Sequence, residues 1–197
     1  MKNYLCINGK KTELTEKQLK QLGITIEPIA MLDGDIAKIG DYEFIVLEND
    51  GTYASLLLKD TLGGDMIFGS TNDFRTSEVK KICDSFGEEI EELIGKGNLV
   101  KHTVGLMALD GLKDYGAIET KMSLLTVARY QEYVEIIEEH KLDKWWWLAT
   151  AWSTPKHGYT TLISCVSPYG RVGSDFSDDD DVGVRPFCIV KSNIFQS

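Results

Sequence analysis

All four tryptophans of the chain fall within nine residues, KWWWLATAW at 144–152. Side chains on a β-strand alternate between two faces, so three consecutive tryptophans cannot all lie on one surface. Trp145 and Trp147 are expected on one face of a strand, and Trp146 with Leu148 on the other. This segment constrains the fold because a strand through it carries large aromatic side chains on both sides.

The length and composition bound the remaining choices. A chain of 197 residues suits one domain, or one domain with a small appendage, and is long enough to bury a substantial core. Its 43% hydrophobic and 10% aromatic content is typical of an ordered globular protein. The net charge of −10, from 31 acidic and 21 basic residues, argues against binding to a phosphate backbone. We therefore expect no direct nucleic-acid ligand.

The cysteines and the N-terminus indicate the compartment. Cys6, Cys83, Cys165 and Cys188 show no C-x-x-C spacing and no paired histidine, so we expect free thiols and no zinc site. The polar start KNYLCINGKK lacks the apolar core of a signal peptide, and no apolar run approaches the roughly 18 residues of a membrane span. These features predict a cytoplasmic protein without membrane contact, and a phage particle is the alternative location.

The first third of the chain predicts two hairpins. YLCI and KTEL flank Asn8-Gly9, a pair that favours tight hairpin turns, and a short helix over 16–22 follows. We interpret residues 1–33 as a hairpin-helix appendage with a connector, and 34–197 as the main domain. A second hairpin is predicted on either side of Asn49-Asp50-Gly51.

Two helices and a set of short strands are predicted next. TSEVKKICDSF and TVARYQEYVEII each carry apolar residues at helical spacing, which predicts two helices that face a core. Cys83 lies on the first of these stripes, where a buried small side chain is the simplest interpretation. WWWLAT, YTTLISCVS, GRVGSDF and VGVRPFCIVKS then read as the strands of an antiparallel β meander. The predicted class is α+β.

Several motifs of the main domain resemble a bacterial and phage family whose hallmark is W-W-L-R-S-P followed by G-V-R-P. Trp146-Trp147-Leu148 and Gly183-Val184-Arg185-Pro186 match this pair. Tyr42 to Leu47, Asn72-Asp73-Phe74 with Ser77, and Met122 to Tyr133 resemble further family elements in the same order. The resemblance covers about residues 36–192.

This family is similar to the sulfatase-modifying-factor branch of C-type-lectin-like folds. The resemblance therefore implies a C-type-lectin-like domain with two helices and an antiparallel meander. It also implies that the strand through Trp146-Trp147 is covered on both sides, with the tryptophans in the core. The chain departs from the family after Trp-Trp-Leu, where Ala149-Thr150-Ala151-Trp152 replaces Arg-Ser-Pro-Gly. A ligand site that depends on that arginine cannot be transferred here.

Catalytic signatures are weak. GDMIFGST at 64–71 approaches a phosphate-binding loop but has Ser70 in place of the lysine. His102, His140 and His157 lie in no triad signature, and no G-x-S-x-G elbow occurs. The sulfatase-modifying enzymes use a close cysteine pair, which Cys165 and Cys188 do not form in the sequence. We expect no enzymatic activity, with an oxidase of the sulfatase-modifying type as an alternative.

The acidic segment SDFSDDDDVG leaves three alternatives open. From Asp178 it fails the EF-hand pattern, because Val182 and Ile189 stand where oxygen ligands belong. A calcium ion held by other geometry, an electrostatic contact with a basic partner, and a solvated hairpin tip all fit the composition. No cofactor is predicted, and Ca²⁺ at this loop is the single exception considered.

Loops on a rigid frame commonly carry recognition, and mixed aromatic and charged side chains suit it. We therefore predict a non-enzymatic binding module that recognises a protein or glycan through its C-terminal loops. The alternative is a phage or mobile-element inhibitor of a basic surface on a host defence or nucleic-acid-processing protein. Arg185 either fixes the meander or donates to a ligand. The predicted ligand-binding residues are Trp152, Lys156, His157, Tyr159, Tyr169, Phe176, Asp178, Asp179, Asp180, Asp181 and Arg185.

Overall fold

The structure, a computed structural model, describes residues 3–7, 10–14 and 31–195. The chain divides into two compact units, Met1–Ala30 and Met31–Ser197. In the first unit, strands β1 (Asn3–Ile7) and β2 (Lys10–Leu14) pair antiparallel, which confirms the strands of the first predicted hairpin. The predicted helix over 16–22 lies outside the described residues.

The second unit is α+β and mostly antiparallel, as predicted. Its larger sheet has the order β3-β4-β5-β13-β6, and β9 also pairs with β13. The second predicted hairpin is confirmed, because Asp50 Oδ1 accepts the backbone N–H groups of Thr52 and Tyr53 and closes the turn. The strands of this sheet are β3 (Ile36–Ile39), β4 (Tyr42–Asn49), β5 (Tyr53–Leu58), β6 (Leu99–Val100), β9 (Met122–Ser123) and β13 (Phe187–Lys191). A separate pair is formed by β7 (His102–Gly105) and β8 (Ala117–Thr120).

The first helix, α1 (Glu78–Ile94), is longer than the predicted segment. Ser77 caps its N-terminus through a bond from the backbone N–H of Lys80 to Ser77 Oγ. Cys83 is buried on the apolar stripe, as expected, and the stripe continues to the buried Ile90. The charged residues between these positions face solvent, so the helix buries one side only.

The second predicted helix is interrupted and forms two, α2 (Val127–Glu132) and α3 (Val134–Glu138). Tyr133 departs from helical geometry at the junction, with φ −109° and ψ 17°. Its hydroxyl donates to Glu48 Oε2 at 2.7 Å, which anchors the junction to strand β4. The apolar spacing predicted this burial correctly, since Val127, Tyr130 and Ile137 are buried, but it carried no signal for the break.

The C-terminal third forms a three-stranded meander, not a four-stranded one. Strands β10 (Trp146–Ala151), β11 (Leu162–Val166) and β12 (Val172–Phe176) pair in chain order. The fourth predicted strand, β13, instead pairs with β5 inside the larger sheet. The expectation that it continues the meander is wrong, because the chain crosses between the sheets through the extended segment 182–186.

The tryptophan strand is covered on both faces. Trp147 lies in a core that includes helix α1 and the larger sheet, and it forms an edge-to-face contact with Phe68. Trp146 and Leu148 lie in a second core with residues of α2 and α3. Trp145, expected in the core with them, is instead 39% exposed.

Arg185 is fully buried at the crossing between the sheets. Its Nε donates to the Leu58 carbonyl at 2.8 Å, and Nη2 donates to the carbonyls of Lys59 and His140 at 2.9 and 3.2 Å. The guanidinium carbon lies 5.1 Å from the ring centroid of Trp146. Burial lowers the pKa of Arg185 to about 10, so the side chain is still charged at neutral pH. Of the two roles that the sequence left open for Arg185, these contacts correspond to the structural one, in which its donors bind backbone carbonyls.

Replacing Arg185 with methionine should lower the free energy of unfolding by about 3 kcal/mol, because buried carbonyls lose charged donors. Lysine should not restore the loss, since it lacks the planar fork that reaches several carbonyls. Urea unfolding measures both variants, with exposed Arg171→Met as the matched control. A change below about 1 kcal/mol in Arg185→Met would contradict the structural role.

Candidate functional site

The structure places Trp152 and Phe176 in one row across the end of the small sheet. The backbone N–H of Trp152 donates to the Leu162 carbonyl at 3.0 Å, and Leu162 pairs directly with Phe176. Residues opposite one another in antiparallel strands point to the same face. Trp152 is 43% and Phe176 56% exposed, with half-buried Leu162 between them. The row is an apolar strip that runs from the residue after β10, across β11, to the last residue of β12.

The loop from 153 to 161 is fixed to the row by buried amide hydrogen bonds. Asn72 Nδ2 donates to the carbonyls of Ser153 and Leu162 at 3.0 and 2.8 Å. The Tyr115 hydroxyl donates to Asn72 Oδ1 at 2.6 Å, so three of the amide's hydrogen-bonding positions are used. Asn72 is fully buried, and this network sets where the loop leaves strand β10.

Asp110 holds the outer part of the same loop. Its Oδ2 accepts from Ser153 Oγ at 2.5 Å and lies 2.9 Å from His157 Nδ1. The Ser153 hydrogen bond, helped by the Leu112 amide and His157, holds the pKa of Asp110 below its usual value. Ser153 and His157 both contact the carboxylate, so the imidazole does not bridge serine and aspartate as it does in a catalytic triad.

Lys156, His157 and Tyr159 are exposed on this loop, which contains a short 3₁₀ helix, Pro155–His157. The backbone N–H of Ser177 donates to the Thr161 carbonyl at 2.6 Å. This bond brings the acidic turn, residues 175–181, beside the loop. The structure thus gathers three of the predicted segments at one end of the small sheet: Trp152, the loop, and Phe176 with the acidic turn.

The acidic turn contains one close group of three carboxylates and two further aspartates outside that group. Carboxylate oxygens of Asp175, Asp179 and Asp181 lie within 4.8 Å of one another. Asp178 and Asp180 are exposed. A hydrogen bond with Asp175 and the surrounding negative charges raise the pKa of Asp179. The three close carboxylates offer oxygen atoms of the kind that a hard cation or a basic side chain would contact.

Tyr169 and Arg185 do not belong to this end. Tyr169 is 79% exposed in the turn between β11 and β12, at the other end of the hairpin from Phe176. Strand β12 alone separates those ends by about 13 Å. Arg185 is buried between the sheets, where its Nε and Nη2 groups are hydrogen-bonded to backbone carbonyls.

Sequence reasoning missed Asn72 and Asp110, and it left Asp175 out of the predicted ligand-binding residues although this residue lies in the acidic segment SDFSDDDDVG. Asn72 entered only as part of a family motif, and nothing local indicates that its amide reaches two carbonyls across the fold. Asp110 lies in ALDGLKD, a turn-like stretch more than forty residues from its partners. Asp175 could have been found, because it precedes the acidic run by three residues and strand alternation separates it from Phe176.

The described part of the chain also contains a His–Ser pair, two buried cysteines and a separate open cleft. His102 Nε2 lies 3.0 Å from Ser123 Oγ beside a cavity of about 80 Å³, but Ser123 is only 1% exposed. Burial raises the pKa of the Cys165 and Cys188 thiols to about 12. An open cleft of about 450 Å³ lies elsewhere, lined in part by Asp41, Lys59 and His140.

No family model matches the chain, and no match to it was found among the curated proteins or the solved structures. Within the residues that the structure describes, no helix is long and apolar enough to cross a membrane. The site must therefore be interpreted from its own geometry.

Replacing Asp110 with asparagine should loosen the loop, because the carboxylate contacts with Ser153 and His157 are weakened. The backbone amides of 153, 154 and 156–160 should exchange with deuterium about tenfold faster, while global stability changes little. Exposed Asp41→Asn is the control. Unchanged exchange in the loop would show that Asp110 does not hold it in place.

Burial, chiefly, lowers the pKa of His102 from 6.5 to about 4. The folded chain therefore keeps a neutral imidazole where the unfolded chain takes up a proton. The free energy of unfolding should fall by about 2 kcal/mol as the pH drops from about 6.5 to about 4. Denaturant unfolding across this range should show a shallower decline for His102→Gln than for the control His140→Gln. If the free energy of unfolding declines equally with pH in both variants, His102 is not the buried neutral group that causes the decline.

Proposed function

We propose that the chain is a non-enzymatic binding module that recognises a protein or glycan with the end of its small sheet. The observation that carries this proposal is the row of Trp152, Leu162 and Phe176, in which two exposed aromatic side chains lie on either side of Leu162, at the end of β10 and on β12. Single exposed aromatics are common on protein surfaces, whereas a row with a fixed register offers a continuous contact area.

The surroundings of the row support recognition. Rigid aromatic side chains lose little conformational entropy on binding, so they commonly supply most of the binding energy at protein surfaces. The loop with Lys156, His157 and Tyr159 is held by the buried Asn72 amide, which reduces the ordering cost when a ligand binds. Charged and polar groups at the rim would then select the ligand.

We further propose that the frame is C-type-lectin-like. The order of the family-like motifs and the position of the small sheet beside the larger one support this assignment. In such a frame, loop sequence varies while the strands hold the architecture. Where the family has Arg-Ser-Pro-Gly, this chain has three buried residues, Ala149 to Ala151, followed by the exposed Trp152, so only Trp152 of this segment is available to a ligand.

The alternative of an inhibitor that binds a basic protein surface has its own supporting observation. Within the described residues, no lysine or arginine forms a salt bridge with the acidic turn. Its charge is therefore available to a partner. Such binding should weaken steeply between low and high salt, whereas recognition of a neutral glycan should not.

An oxidase of the sulfatase-modifying type is a weaker proposal. That chemistry needs thiolates that can reach a substrate or a metal ion, since the thiolate is the reactive form. Cys165 and Cys188 are both buried, lie in different sheets, and stay protonated at neutral pH. Elemental analysis for copper on the purified chain tests this alternative, and bound copper that is lost in Cys165→Ser would revive it.

The binding proposal can be tested by screening the full chain against a glycan array and a phage-displayed random peptide library. Trp152→Ala and Phe176→Ala should each weaken the selected ligands by about tenfold or more, as expected for aromatic anchors. The control is Tyr169→Ala, which removes a more exposed aromatic side chain at the other end of the hairpin. If the Trp152 and Phe176 variants keep full affinity while folded, the row is not the binding surface.

A further inference from the structure

Strand β12 leaves one backbone edge open. Ser177 N–H donates to the Thr161 carbonyl, and Ser167 N–H donates to the Arg171 carbonyl, so odd-numbered residues of β12 face β11. Backbone groups alternate in direction along a strand, which turns those of Val172 and Ser174 outward. Across the ranges that the structure describes, no strand pairs with this outer side.

The two faces beside this edge differ in chemistry. Val172 and Phe176 are exposed on the face that carries the aromatic row. Asp175 points to the opposite face, where its carboxylate lies close to those of Asp179 and Asp181. A strand that added to this edge would place alternate side chains against an apolar strip and against three carboxylates.

We propose that the outer edge of β12 binds, by antiparallel strand addition, an extended segment of a partner protein in which apolar residues alternate with arginine or lysine. This inference rests on the proposed binding function and names its partner chemistry. Main-chain hydrogen bonds to Val172 and Ser174 supply part of the affinity, and the two faces supply the selectivity.

Charge complementarity selects the occupant. The three carboxylates lie together without a basic partner in the described part of the chain, so arginine side chains beside them gain strong charge-assisted hydrogen bonds. A hydrogen bond with Asp175, together with repulsion between the carboxylates, raises the pKa of Asp179, and a cation beside the cluster would relieve the repulsion. A second copy of this chain is a poor occupant, because edge-to-edge pairing would bring two acidic clusters together.

The geometry also fixes which peptide residue faces which side. In an antiparallel pair, residues directly opposite one another point to the same face, and hydrogen-bonded pairs exchange both backbone bonds. The residues opposite Val172 and Ser174 therefore share the apolar face. They are the apolar members of the incoming segment, and their amides point toward β12. The arginine amides point away from it.

The test uses the full chain and a labelled nine-residue peptide, RVRVRVRVR, with blocked ends, followed by fluorescence anisotropy. The same peptide with glutamate for arginine should bind at least about tenfold more weakly. N-methylation of the valine amides should also cost about tenfold or more, because these amides face β12. N-methylation of the arginine amides should change affinity by less than about threefold.

Equal binding of the two N-methylated peptides would overturn strand addition, because they carry the same charge and differ only in which backbone edge is blocked. Ser174→Pro should weaken the unmodified peptide by about tenfold and Ser174→Ala should not. Circular dichroism confirms that both variants are folded, and the peptide pair gives an answer even if Ser174→Pro unfolds.

The outcome also separates this inference from the proposed function. Failure of every RVRVRVRVR peptide to bind overturns the edge proposal. If ligands from the broader screens still depend on Trp152 and Phe176, the binding module itself is supported. If the screened ligands depend on neither aromatic residue, the proposed function fails as well, because it rests on the row of Trp152, Leu162 and Phe176.

Discussion

The buried guanidinium of Arg185 is the interaction on which the arrangement of the two sheets depends. It binds carbonyls at the end of β5 and just after α3, and it lies against the ring of Trp146 on β10. A charged group inside a protein is costly unless its donors are used, so these carbonyls must remain close to it. The crossing segment therefore holds the larger sheet, the short helices and the small sheet in one relative position.

The proposed recognition surface depends on that position. Trp146 and Trp147 pack the small sheet on both faces, which leaves its far end and its outer strand to meet solvent. The buried Asn72 amide then fixes the loop beside Trp152, and Asp110 fixes its outer turn. Exposed aromatic and acidic side chains thus stand on a rigid base, which lowers the entropy cost of binding.

Local patterns predicted much of the fold. Helical spacing identified the buried faces of α1 and of the segment that forms α2 and α3, and turn residues located both hairpins. Strand alternation placed Trp146 and Trp147 correctly on opposite faces. The exit of β13 from the meander was not predictable, because strand order depends on long-range pairing that a single sequence does not encode locally.

The exposure of some candidate site residues was predictable from local patterns, whereas contacts between residues distant in the sequence were not. Exposure of Trp152, Phe176 and the acidic run followed from loop composition, while Tyr169 was grouped with them although it lies at the other end of the hairpin. Arg185 was left between two roles because an arginine inside an apolar run fits both. Asn72 and Asp110 act through partners far away in sequence, so only the folded chain shows their contribution.

The central claim is that the small sheet presents an open strand edge beside an exposed aromatic row. Residue-resolved hydrogen exchange of the full, unliganded chain tests it most directly. An open edge predicts fast exchange for the amides of Val172 and Ser174, and exchange at least about a hundredfold slower for those of Gly173 and Asp175, which bond to β11. Protection of Val172 and Ser174 equal to that of their neighbours would contradict it, because the edge would already be paired.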